Sequence, residues 1–287
     1  MPSLKQIRRR IMAVRNIAQV TRAMKMVAAA KLKRAQQNME RARPYARMLM
    51  EAMEELASRS SPDLHPLLAV RDPQRIGIVA VTSDRGLCGA FNANICRRTQ
   101  EVLEEFRGRD VELFTIGRKG HEFFRKRGVS IYRYFPGVFK DLKFSQAIAI
   151  GSQLRDVYIS ERFDRIYLVY NEFKNPLQQR IVCQQLLPIT PRPLLTVARG
   201  VDWIFEPDPI EVLNQILPLY INIEIWQVML ESFAAEQGAR MSAMESATEN
   251  ANELIKSLTL EYNKARQTAI TKELLEIVGG AEGLKGR

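Results

Sequence analysis

From Leu4, alternate steps of three and four residues land on Ile7, Ile11, Val14, Ala18, Thr21, Lys25, Ala28, Leu32, Ala35, Met39, Ala42, Ala46, Leu49, Met53 and Leu56. Only Thr21 and Lys25 in this series are not apolar. An apolar repeat of 3.5 residues held over such a length predicts a coiled-coil helix within residues 1–60. At 1.5 Å per residue, that helix would be roughly 80 Å long. Pro44 is expected to bend or interrupt it, and the turn-rich Ser58-Arg59-Ser60-Ser61-Pro62 to end it.

The same steps from Met241 reach Met244, Thr248, Ala251, Ile255, Leu258, Tyr262, Ala265 and Ala269. Residues 210–240 are helix-compatible and rich in large apolar groups, with Pro218 as an expected kink. The C-terminal helical segment, 209–280, is predicted to stop at Gly279-Gly280. Small residues such as Ala18, Ala28, Ala251 and Ala265 recur on both seams and permit close helix approach. Two heptad segments at opposite ends of one chain pair most simply with each other. A globular piece lies between them in sequence, so the pairing is expected to be antiparallel.

Between the helices the period changes. Arg75–Thr82 reads as a short apolar strand and is followed by SDRGLCGAFN and helical text to about Phe106. Strands are then predicted at Val111–Ile116, Val129–Tyr134, Arg165–Tyr170 and Arg180–Leu187, with helices near Arg118–Arg127 and Phe144–Ser160. This rhythm predicts an α/β sheet domain of Rossmann-like topology over residues 73–190. The expected fold is therefore α/β plus long α: an antiparallel two-helix coiled coil of the terminal segments carrying a Rossmann-like middle domain.

Composition narrows the function. The net charge of +11 is uneven, with 14 lysines and arginines against 4 acidic residues in 1–60, and 7 against 11 in 210–287. The two ends can attract each other or face different partners. The basic N-terminal segment reads as a solvated helix face, as a surface for an acidic protein, or as a nucleic-acid binder. It lacks the interleaved aromatics of a single-strand binder. No stretch approaches 18 consecutive apolar residues, so no membrane span is expected. The basic N-terminus has no apolar stretch behind it, so no cleaved signal peptide is expected either. Cys88, Cys96 and Cys183 are sparse and odd in number, as for reduced thiols. Neither they nor His65 and His121 show metal-ligand spacing, and no metal or cofactor is expected.

The loop Ser83-Asp84-Arg85-Gly86-Leu87-Cys88-Gly89 opens a helix after the first strand, where anions bind in nucleotide-binding domains. It has neither G-x-G-x-x-G nor G-x-x-x-x-G-K-[ST]. A tight turn, a partner-binding loop presenting Arg85, and a nucleotide site are the three readings it admits. Asp84 and Asp164 have no histidine near them, and Ser83 has no nucleophile-elbow context, so no catalytic constellation is visible. The methionines Met24, Met26, Met48, Met50, Met241 and Met244 suit either seam packing or a surface that slides past its neighbours. Lys25 is the sharper anomaly, because a seam cation needs a snorkelling stem or a nearby carboxylate.

Four blocks resemble the gamma subunits of F-type ATP synthases of the bacterial kind: TRAMKMVAAAK at 21–31, TSDRGLCGA at 82–90, ESFAAEQGARMSAMESATEN at 231–250 and LEYNKARQTAITKELLEIVGGA at 260–281. The resemblance spans nearly the whole chain. It implies a rotor shaft inside a ring of three alpha and three beta subunits, with a foot on the membrane rotor (c) ring beside the epsilon subunit. It implies coupling of ion flow to the catalytic beta subunits, no nucleotide of its own, and a place on the cytoplasmic face of the bacterial membrane. By position, Arg266 and Gln267 match a pair that catches a beta-subunit loop, and Arg240 and Thr271 match other coupling positions. Arg85 and Met24, with Lys25 beside it, match residues that meet the acidic lower part of beta. The redox insertion of chloroplast members is absent, so thiol control is not expected.

Overall fold

The computed structural model describes residues 3–58, 65–176, 178–190 and 209–285. In chain order these form α1 (Leu4–Ser58), β1 (Arg75–Val81), α2 (Phe91–Glu105), β2 (Asp110–Ile116), α3 (Arg118–Arg125), β3 (Ile131–Phe135), α4 (Phe144–Ile159), β4 (Arg165–Phe173), β5 (Gln179–Leu187) and α5 (Pro209–Lys285). The chain divides into two compact units, Met1–Val27 with Met241–Arg287, and Ala28–Arg240. None of the described helices is long and apolar enough to cross a membrane.

The first unit is a helix pair. Its N-terminal end is set by a capping box, in which Ser3 Oγ accepts from the Gln6 amide and Gln6 Oε1 accepts from the Ser3 amide. Ile7 and Ile11 pack with Ile255, Leu258 and Tyr262. Further along, Thr21 meets Thr248 and Lys25 meets Glu245. Rising numbers on α1 meet falling numbers on α5, so the helices are antiparallel. Ala18 and Ala251 are buried in the seam, where their small size lets the backbones approach.

Within the second unit, the sheet order is β3-β2-β1-β4-β5. β1 pairs in parallel with β2 and β4, and β2 with β3. β5 runs antiparallel to β4. The predicted β–α–β rhythm ends there, because the short link from Phe173 to Gln179 cannot hold the crossover that a parallel neighbour requires. β1 is the central strand and is buried on both faces. Val79 and Val81 join one cluster with Leu154 and Tyr158 of α4 and Leu213, Leu217 and Ile221 of α5. Ile76, Ile78 and Ala80 join the other with Phe91 and Ile95 of α2 and Phe124 of α3. Alternate residues of one strand thus feed two separate layers. Gly117, with φ of 89°, turns β2 into α3 so close to Thr82 that an added Cβ would lie 2.1 Å from the Thr82 carbonyl oxygen.

Three expectations shift. Pro44 does not interrupt α1, which runs on to Ser58 although proline offers no amide for one helical hydrogen bond. α5 likewise runs through Pro218 and past Gly279-Gly280 to Lys285. Two glycines cost about 1 kcal/mol each against alanine, and no proline follows to stop the helix. β3 begins at Ile131 rather than Val129, because the Val129 amide is engaged by the Phe124 carbonyl at the end of α3.

Candidate functional site

The helix pair resolves its own polar anomalies. Thr248 Oγ1 donates to the Met244 carbonyl at 2.7 Å and lies 2.7 Å from Thr21 Oγ1, so the two seam threonines satisfy each other. Lys25 finds the carboxylate that its position demanded, with Nζ 2.5 Å from Glu245 Oε1. Both side chains are more than a third exposed, so this pair is a partly solvated bridge. Thr248 lies on the predicted seam, but neither its pairing with Thr21 nor the role of Glu245 was assigned from sequence. Only the pairing of two distant segments identifies these partnerships.

Met24 is half-buried beside this bridge, whereas Arg266, Gln267 and Thr271 are all exposed on α5. Around them lie large apolar side chains that this chain leaves open: Ile17, Val20 and Met26 on α1, and Ile270, Leu274, Leu275 and Ile277 on α5. Leu275 is 67% exposed. The helix pair therefore presents alternating apolar groups, cations and amides to the outside.

The second unit holds the Ser83–Gly89 loop. Cys88 is buried beneath it, and Leu87 and Gly89 take left-handed φ values of 63° and 56°. The Ser83 amide donates to Asn92 Oδ1 at 2.9 Å, and Ser83 Oγ donates to the Arg85 carbonyl at 2.5 Å. Asp84 Oδ1 accepts from the amides of Arg118 and Gly137. Arg85 is exposed. Arg240 is only 8% exposed. Its guanidinium lies 2.6 Å from Glu236 Oε1 and donates to the Gly86 carbonyl at 3.2 Å. Burial pushes the Glu236 carboxyl above the usual range, and the adjacent Arg240 charge opposes that rise. The structure thus sets a buried Arg240 against the loop that carries the exposed Arg85. It places Met24, Lys25, Arg266, Gln267 and Thr271 on the helix pair. Asn92 and Glu236 carried no signal in sequence beyond their place in helical text.

The body also contains a structural ion pair. Asp164 is buried, and its Oδ1 receives the Arg75 guanidinium at 2.7 Å. Burial alone would raise the Asp164 carboxyl, but hydrogen bonds from the Arg75 side chain and from the Arg75 and Gln74 amides hold it below its ordinary value. This pair ties β1 to the start of β4.

The described architecture is a pair of antiparallel helices from the two end segments, with a five-stranded sheet body between them in sequence. The family model described as ATP synthase matches residues 3–284. The ATP synthase gamma chain of Chlorobaculum parvum is 48% identical, covering 99% of this chain and 100% of its own. That of Geobacter sp. strain M21 is 46% identical over the full length of both. Among solved structures, a chain of the central stalk and c-ring of the Tetrahymena thermophila mitochondrial ATP synthase is 27% identical. It covers 79% of this chain and 99% of its own, with a TM-score of 0.62. A chain of the Euglena gracilis mitochondrial ATP synthase shares the fold at 21% identity and a TM-score of 0.72, over 98% of this chain and 94% of its own. This chain belongs to the ATP synthase gamma-chain family.

Proposed function

We propose that the chain is the central-stalk rotor subunit of a bacterial F-type ATP synthase and has no catalytic site of its own. It couples ion flow at the membrane rotor to the conformational cycle of the catalytic beta subunits. The observation that carries this reading is the surface of the helix pair. Its seam is satisfied internally, yet large apolar side chains remain exposed on both helices. Apolar surface left open around a completed seam calls for an enclosing partner. Three alpha and three beta subunits around the helices, an epsilon subunit and the c ring at the foot are the partners of this reading. Residues 1–60 and 209–280 form the shaft in it, and 73–190 the body. The site of action is the cytoplasmic face of the plasma membrane, with the chain bound peripherally.

Met24, Lys25, Arg85, Arg240, Arg266, Gln267 and Thr271 are the proposed coupling residues. An arginine on the shaft can make a planar, bidentate contact with a beta carboxylate, worth about 1.5–3 kcal/mol while it lasts. Rotation must break each such contact, so its loss affects turnover more than folding. Arg266→Ala is therefore expected to change the stability of the free chain by less than about 0.5 kcal/mol. In reconstituted enzyme it should lower steady-state ATP hydrolysis and proton-driven synthesis, with Arg266→Lys rescuing only part of the loss. Wild-type rates in both directions would make Arg266 a solvated surface charge.

A further inference from the structure

We infer that Glu236 and Arg240 are positioning residues that latch the Ser83–Gly89 loop in the conformation presenting Arg85 to its partner. The presentation to an acidic protein surface rests on the rotor reading above, while the latch itself rests on geometry alone. The loop is not a relaxed turn. Leu87 has a φ of 63° although it is not glycine, and its side chain is 63% exposed. A left-handed leucine is strained and gains no packing from exposure, so neighbouring contacts must hold it. Cys88 anchors one side by burial, and Asn92 holds the Ser83 amide on the other. Between these anchors, the Gly86 carbonyl is gripped by the guanidinium of Arg240, which is more than 150 residues away in sequence.

Glu236 makes this grip possible. On an exposed helix, an i,i+4 ion pair adds little stability. Here both members are buried, where desolvation offsets most of their attraction. The pair therefore contributes little as a bridge. What it does supply is a neutralised guanidinium that can be buried and aimed at a backbone oxygen of another element. The elevated Glu236 carboxyl shows that its environment penalises the charge and that Arg240 sustains it. Arg240 accordingly acts from beneath the loop, while Arg85, next to Gly86 in sequence, is the exposed cation.

Limited trypsin digestion of the full-length chain tests the latch without any partner. Cleavage after Arg85 is compared with cleavage after Arg127, an exposed site in the α3–β3 turn that reports general loosening. Glu236→Gln should raise the Arg85-to-Arg127 cleavage ratio by about tenfold, because local opening controls proteolysis at a strained loop. An unchanged ratio overturns the latch. Arg240→Lys, which keeps the charge but not the fork, must raise the same ratio. This second variant decides the matter if Glu236→Gln fails to fold. In the assembled enzyme, Glu236→Gln should slow ATP turnover in the wild-type background and have no further effect beside Arg85→Ala. Additive losses would overturn the claim that the latch works through Arg85. Wild-type turnover in Arg85→Ala alone would instead sink the partner role of Arg85 and leave the proteolysis result standing.

Discussion

The helix pair and the sheet body solve the burial problem in opposite ways. In the body, β1 is covered on both faces, and Ile76, Ile78, Val79, Ala80 and Val81 are withdrawn from solvent. In the helix pair, each helix can offer its partner only one stripe. That stripe is filled by Ile7, Ile11, Ala18, Ala251 and Leu258, and the residues on the remaining faces stay outside. Ile17, Val20, Leu274 and Leu275 are exposed for that geometric reason. A sealed core gives stability to the chain by itself, whereas an open seam leaves apolar surface for another molecule. The difference fits the proposed roles, in which the helices carry most of the coupling residues and the body presents the Ser83–Gly89 loop.

Substitutions in the two regions should separate these roles. The largest loss is expected in the sealed body, where Leu154→Ala should cost about 3–5 kcal/mol in denaturant unfolding. In the seam, Leu258→Ala should cost about 2–3 kcal/mol, since fewer neighbours surround the cavity. An unchanged melting temperature for Leu258→Ala would mean that the helix register is wrong. Asp164→Asn should lower the melting temperature of the body at pH 7. The carboxyl sits below its ordinary value in the folded chain, so its stabilisation is present at neutral pH and withdrawn on acidification. The gap between wild type and Asp164→Asn should therefore narrow as the pH falls below about 5. A gap constant from pH 7 to pH 3 would show that Asp164 stabilises by packing alone. The smallest effect belongs to the polar seam pair: Thr248→Val should cost about 1 kcal/mol, read from thermal melting. A gain in stability would show that the Thr21–Thr248 contact serves only to set register.

Much of the architecture was legible because periodicity is a local property. The 3.5-residue repeat placed both helices and their seams, and runs such as RIGIVAV marked each strand to within three residues. The anomaly at Lys25 was also legible, but its answer at Glu245 was not, since that carboxylate lies 220 residues away. The same holds for the antiparallel β5, for α5 running on through Gly279-Gly280, and for the burial of Arg240. Sequence alone determined which residues are apolar at helical or strand spacing, and so which elements form and which faces they bury. Tertiary structure decided which distant charges meet, because an ion pair depends on two segments folding to within 4 Å, and no local pattern encodes that distance. Arg266 and Arg240 show the consequence. Both are cations on the same helix, yet packing leaves one exposed and turns the other inward against Glu236 and the Gly86 carbonyl.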